Sequence, residues 1–241
     1  FKLEESLISS VLALNVTQKI NLISDIKNAK HDVINLINIS GCKDFVLGEP
    51  TINNSKFITN CLSTAADLAF KNSSCLVTGP LNKSIVQKYI QNFTGHTEFL
   101  GKRFNAKEVL MFMTNGNIHL GIITTHIPLK KVPNIISKVL IKNKYKLLHN
   151  GLINIFKIAS PKIAVLGVNP HAGESGTIGD EEQSIIMPAI DELRHEGYDA
   201  NGPVSADTVF TRTEYDAVLS MYHDQALPVL KTIDFHKTVN I

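Results

Sequence analysis

KIAVLGVNPHAGESG, residues 162 to 176, decides the fold. Its first half is a short continuous apolar run, as a strand buried on both faces of a parallel sheet requires. Its second half stops that run with Asn169 and Pro170, then supplies His171, Gly173 and Gly176. The chain therefore delivers a histidine to the end of a buried strand, on a loop made for close backbone approach.

Other runs of the same kind lie on both sides: SCLVTG (74–79), VLMFMT (109–114), IHLGIITT (118–125) and AVLSMY (217–222). Between them, residues 56–72, 135–156 and 181–197 carry apolar side chains at three-and-four spacing and read as helices. Strands alternating with helices predict an α/β fold with a mainly parallel sheet. Earlier in the chain, residues 3–14 read as a helix, 33–39 as a strand and 48–56 as a loop. The FTG turn at 93–95 suggests a division into a first α/β subdomain, 1–94, and a second, 95–241.

The chain has 241 residues, 44% of them apolar, enough for a sizeable core in one large domain or two small ones. Its 24 Lys and Arg are spread along it and its net charge is only +2, which gives nucleic-acid binding little support. No apolar run is long enough for a membrane span. The opening FKLEESLISS lacks the basic-then-apolar pattern of a signal peptide, although the sequence begins at Phe rather than Met. Cys42, Cys61 and Cys75 show no CxxC spacing and read as buried or half-buried thiols of a reducing, cytoplasmic protein.

Two further histidines repeat the placement of His171. His126 follows GIITT directly, and His223 follows AVLSMY directly. Parallel strands end at one edge of a sheet, where ligands bind in open α/β folds, so these three can converge. Three neutral imidazoles suit a divalent ion of the zinc type and leave coordination positions for a substrate. The alternative is three unrelated hydrogen-bonded loop histidines, the role assigned to His31, His119, His149, His195 and His236.

The glycines after His171 are spaced GxxGxxG, through Gly173, Gly176 and Gly179, and no GxGxxG or Walker pattern occurs. Lys83 follows a predicted strand and opens a helix, a good place to meet an anion. His96 and Thr97 stand at another probable helix start, where Thr97 serves equally well as a cap. Asp207 is a carboxylate in a small, apolar setting, either hydrogen-bonded structure or a site acid/base.

VTGPLNK, GHTEF, TTHIPL, NPHAGESGTIGDEE, GPVSADTVF and MYHDQALPVLK, in this order, closely resemble the 4-hydroxythreonine-4-phosphate dehydrogenase family of pyridoxal phosphate biosynthesis. The resemblance spans about residues 74 to 241. It implies a fold like that of isocitrate and isopropylmalate dehydrogenases, two α/β/α subdomains with a cleft between them. It also implies a homodimer with sites shared between subunits, no nucleic-acid or membrane partner, NAD or NADP as cofactor, and a divalent metal. Zinc is the expected ion, with magnesium, cobalt or manganese as alternatives.

By the same resemblance His126, His171 and His223 hold the metal, and His96, Thr97, Lys231 and Asn240 bind substrate. The implied reaction oxidises 4-phosphooxy-L-threonine at C3 and decarboxylates the product to 3-amino-2-oxopropyl phosphate. Asp207 or Lys83 is the expected catalytic base, and Asp224 the residue that orients His223. Two alternatives remain: a dehydrogenase of a related phosphorylated hydroxy acid such as 4-phospho-threonate, or a non-catalytic relative that binds metal or phosphometabolite. The sequence departs from the family in having YHDQA for the commoner YHDQG. It also lacks the family's opening GEPAGIG-like loop and closing SPDHG-like segment, so the natural ends are expected to lie outside this stretch.

Overall fold

The computed structural model describes residues 19–42, 46, 49, 51–79, 81–91, 93 and 95–241. The helix expected over residues 3–14 and part of the loop expected over 48–56 lie outside the described residues. The chain divides into two compact units, Phe1–Arg103 and Phe104–Ile241. The division thus follows Arg103, not the turn near residue 94.

In the first unit, β1 (Ile20–Ile23) and β2 (Ile34–Ile37) form a parallel pair, with Ile20 opposite Ile34. Helix α1 (Ser55–Lys71) turns Thr59, Leu62 and Ala66 inward, the stripe expected of an amphipathic helix. Two shorter helices follow, α2 (Lys83–Val86) and α3 (His96–Arg103). Leu62, Val86 and Phe93 form a small core, backed by Ile58, Leu76, Leu81, Ile90 and Phe99. A two-pronged contact from Arg103 to Asp67, at 2.7 and 2.5 Å, ties α3 to α1.

The strand expected at 74–79 does not form. Among the described residues no strand pairs with it, so the segment has no ladder, and Val77 is 91% exposed. An apolar run is necessary for a buried strand but does not supply a neighbour. For the same reason Cys75 is exposed, against the expectation that all three thiols are covered.

The second unit is built on a six-stranded sheet. In chain order come β3 (Met111–Thr114), β4 (His119–Thr124), α4 (Val132–Ile135), α5 (Lys138–Asn154) and β5 (Ile163–Leu166). They are followed by α6 (Met187–His195), β6 (Ala200–Val204), β7 (Ala217–Tyr222), α7 (His223–Ile233) and β8 (Val239–Asn240). Across the sheet the order is β6-β5-β7-β4-β3-β8. The first four run parallel, while β3 is antiparallel to both β4 and β8.

Alternate side chains of the central strands enter two separate cores. Ile163, Val165, Leu219 and Met221 pack with Ile141, Tyr145, Leu148, Ile190 and Leu193 of α5 and α6. Ala164, Leu166 and Val218 pack on the other face with Ala226, Leu227 and Leu230 of α7. Both faces are covered, which is why these strands read as unbroken apolar runs. Helices on both sides of this sheet bear out the α/β fold class. On the outer surface Lys138 and Lys142 meet Glu192, and Lys142 and Lys146 meet Glu196, clasping α5 to α6. Among the described residues no helix is long and apolar enough to cross a membrane.

Candidate active site

Sheet order brings the three strand-end histidines to one edge. Strands β5, β7 and β4 are neighbours, all parallel, and the β4–β7 ladder runs to Thr124 opposite Tyr222. His126, His171 and His223 therefore leave three adjacent strands at their carboxyl ends. The rings of His126 and His223 lie 6.1 Å apart, centroid to centroid. Both line a cavity of about 290 Å³ together with Thr124, Thr125, Tyr222 and Asp224.

Two of the histidines have a carboxylate at the same ring nitrogen. His223 Nδ1 is 2.6 Å from Asp224 Oδ1, and His171 Nδ1 is 3.5 Å from Asp207 Oδ2. The Asp224 hydrogen bond at Nδ1 selects the His223 tautomer whose Nε2 lone pair is free, the usual arrangement behind a metal-binding imidazole, while His171 and Asp207 stand at ion-pair distance.

His171 sits in an uncommon backbone. From His171 to Ser175 every φ lies between 43° and 77°, a left-handed turn of five residues of which only Gly173 is a glycine. Each of the other four carries a steric cost of about 1–2 kcal/mol. Buried Glu182, in a single π-helical turn (Glu182–Ile186) ahead of α6, holds the segment in place. Its Oε1 accepts from the backbone N–H groups of Val168 and Asn169 at 2.7 and 2.8 Å, and its Oε2 from Asn169 Nδ2 at 2.9 Å. A Cβ on Gly173 would come within 2.5 Å of Glu182 Oε2. One on Gly167 would come within 2.7 Å of Ala172 Cα.

Gln225, in the first turn of α7, makes the companion link. Its Oε1 accepts from Met221 N at 2.8 Å and its Nε2 donates to the Gly167 carbonyl at 2.5 Å. The sequence did not single out Glu182 or Gln225. Their only signal is adjacency to motifs, in GDEE and YHDQ, and neither burial nor cross-strand reach can be read from that.

The donor set fits a divalent ion in kind, three imidazoles at three neighbouring strand ends, with the Nδ1 of His223 held by Asp224. As placed, the rings do not converge: among the described residues no three His, Cys, Asp or Glu side chains stand close enough to share an ion.

The remaining site residues fall in separate places. Lys83 and His96, both in the first unit, line a cavity of about 440 Å³ with Thr78, Gly79, Leu81, Phe93 and Gly95. Burial, and then the charge of Lys83, push the His96 pKa below its ordinary value. The imidazole is thus neutral beside a lysine, a pair that an anion would satisfy. Thr97 follows in the first turn of α3 and is not among the cavity's lining residues.

Asp207 is hydrogen-bonded by the Ser205 hydroxyl at 2.6 Å. That bond first, and the charge of His171 second, hold its carboxyl below the usual range. A carboxylate so stabilised binds a proton weakly, so its geometry and its acidity both suit orienting His171. Lys231 is exposed in the last turn of α7, eight residues or about 12 Å of helix rise from His223. Asn240 is exposed on β8 opposite Met113, whose other neighbour is Leu120 at the start of β4, away from the histidine edge.

The chain resembles known proteins over nearly its whole length. A crystal structure of 4-hydroxythreonine-4-phosphate dehydrogenase from Klebsiella pneumoniae is 31% identical, covers 96% of this chain and 74% of that one, and superposes with a TM-score of 0.85. A 4-hydroxythreonine-4-phosphate dehydrogenase from Burkholderia phymatum is 29% identical over 95% of this chain and 72% of that one, with a TM-score of 0.82. A terephthalate 1,2-cis-dihydrodiol dehydrogenase from Burkholderia xenovorans is 20% identical over 98% of this chain and 74% of that one, at a TM-score of 0.67, and shares the fold. The family model of the pyridoxal phosphate biosynthetic protein PdxA matches residues 3–241. The chain with its three strand-end histidines belongs to the PdxA family of oxidoreductases, enzymes of pyridoxal phosphate biosynthesis.

Proposed function

We propose that this enzyme oxidises 4-phosphooxy-L-threonine at C3 with NAD or NADP as acceptor and releases carbon dioxide to give 3-amino-2-oxopropyl phosphate. What supports this assignment above all is the set of three histidines leaving adjacent parallel strands, two of them with a carboxylate at Nδ1. The relatives named as 4-hydroxythreonine-4-phosphate dehydrogenases supply the substrate.

His126, His171 and His223 would hold a divalent ion, zinc in the first instance, which when bound lowers the pKa of the substrate hydroxyl and polarises the carbonyl that replaces it. A nicotinamide cofactor would supply the hydride acceptor for C3. The chain's own residues do the rest. Asp224 and Asp207 orient the rings of His223 and His171 through Nδ1. Lys83 and His96 offer a charge and a ring N–H to an anionic end of the substrate, with Thr97 beside them. The hydroxyl proton needs an acceptor, and Asp207 or Lys83 is the candidate base.

Lys231 and Asn240 stand apart from the histidine edge within one chain, which fits substrate contacts made by a second copy across a homodimer with shared sites. A cytoplasmic location accords with this chemistry.

The test is NADH formation from 4-phosphooxy-L-threonine and NAD, with and without a chelator, alongside His171→Ala. Metal-dependent turnover lost in His171→Ala is the expected result. Turnover retained by His171→Ala would sink the metal assignment. Equal turnover of 4-phospho-threonate would replace the proposed substrate with the wider class of phosphorylated hydroxy acids.

A further inference from the structure

Helix α1 carries a second stripe besides the one it buries. Ser55, Thr59, Leu62 and Ala66 turn inward, while Asn53, Lys56, Phe57 and Asn60 follow the i, i+3, i+4, i+7 spacing of another side. Asn53 belongs to the short turn (Ile52–Asn54) that leads into the helix. This second stripe lines a cavity of about 660 Å³, within the range of small-molecule and cofactor sites.

Two other segments of the first unit complete the walls. Ser40 and Gly41 come just after β2, at the carboxyl end of the parallel β1–β2 pair, the edge where ligands bind in open α/β folds. The chain turns there at Gly41, whose φ is 103°. Lys88 and Tyr89 come from the turn after α2, and Val86 of α2 packs with Leu62 of α1 in the small core. The cavity shares no lining residue with the one that holds Lys83 and His96.

Its charge is of one sign. Lys56 and Lys88 line it and none of the lining residues is acidic. Among the described residues neither ammonium meets a carboxylate, and the side-chain amides of Asn53 and half-buried Asn60 have no partner. Two ammonium groups on separate elements around one cavity favour an anion charged at more than one place, as a diphosphate is. Phe57 and Tyr89 add aromatic wall for a flat ring. We propose that this cavity binds a nucleoside diphosphate, with the phosphates on Lys56 and Lys88, the amides of Asn53 and Asn60 hydrogen-bonded to it, and the base against Tyr89. Such a group arrives as a free nucleotide or as the ADP half of NAD or NADP. The inference goes beyond the proposed reaction and needs neither the three histidines nor a metal.

ADP binding to the whole chain tests the proposal, by calorimetry and by the amide NMR spectrum. ADP is expected to shift the amide signals of Gly41, Asn60 and Tyr89. Lys56→Gln and Lys88→Gln should each weaken ADP binding about tenfold, as the loss of a charge-assisted hydrogen bond does. Both lysines are exposed, so these variants are expected to fold. Tyr89→Ala should weaken the binding of ADP and adenosine but not of pyrophosphate. Saturating NAD identifies the source: ADP displaced by NAD marks the cavity as the cofactor's, and ADP retained beside NAD marks it as a free nucleotide's.

ADP affinity within about twofold of the parent in the double variant Lys56→Gln/Lys88→Gln, far short of two charge-assisted bonds, overturns the proposal. So do shifts confined to Gly79 and Gly95, which would put the nucleotide in the Lys83 cavity, and a folded parent that binds no ADP. None of these readouts uses turnover, so the dehydrogenase assignment stands or falls separately.

Discussion

His223 and Asp224 are neighbours in sequence and also in space, with ring Nδ1 and carboxylate Oδ1 2.6 Å apart at the start of α7. Adjacent side chains on a helix normally diverge by about 100°. Here the helix begins at His223 itself, and its first turn lets the carboxylate fold back on the ring. The acid also lies at the positive end of the helix dipole, where a negative charge is favoured.

Removing that carboxylate releases the ring. Asp224→Ala should weaken divalent-metal binding about 10–100-fold while leaving the fold unchanged. Asp224→Asn, which retains an acceptor oxygen, should lose less. Calorimetric titration with zinc or cobalt checks both, and unchanged affinity in Asp224→Ala would assign the contact to helix capping alone.

His96 should titrate below its ordinary value of 6.5. Burial is the larger cause, so Lys83→Met should raise the His96 pKa only part of the way back. A lowered folded pKa means that, as pH falls through 6.5, the unfolded chain protonates first. His96 therefore places no burden on the fold above 6.5, and the penalty grows as pH falls from 6.5 to the folded pKa and stays at its full size below it. An NMR titration of the ring measures this directly, and an inorganic phosphate bound in the cavity should move the pKa upward.

Asp207 offers the opposite sign. Its carboxyl lies below the ordinary 3.8, with the Ser205 hydroxyl as the leading cause and the His171 charge a smaller one. Ser205→Ala should accordingly raise the Asp207 pKa more than His171→Ala does. Whatever stability this carboxylate lends is present above 3.8 and is lost as pH falls through its folded pKa. A carboxyl NMR titration that ranks the two variants the other way would make His171 the controlling partner.

Gly173→Ala should destabilise the protein by at least about 1–2 kcal/mol from the left-handed backbone alone. The added Cβ also meets Glu182 Oε2 at 2.5 Å, so the carboxylate must shift from Val168 and Asn169. Denaturant unfolding should show the loss, and metal affinity should fall with it.

The second unit was largely legible in the sequence. IAVLGV and AVLSMY are buried on both faces, so burial wrote itself into unbroken apolar runs. The three histidines were legible for a related reason, since a strand that ends on a polar residue reveals where that residue goes. β6 was missed because Ala200–Val204 is interrupted by Asn, Gly and Pro, and pairs along only one side, with β5. SCLVTG misled in the other direction, being strand-like with no strand beside it among the described residues. At the site, the side chains that brace the histidine loops stayed hidden. Glu182 and Gln225 act on backbone atoms 14 and 58 residues away, and nothing in the local pattern records that reach.

The left-handed turn at 171–175 also bears on when this loop forms. Local preference opposes it at four of five residues, and the carboxylate that compensates arrives later in the chain, on a turn that must first dock against β5. The loop should thus be among the last elements to order as the protein folds. Substitutions within it should leave the folding rate nearly unchanged and appear almost wholly in the unfolding rate.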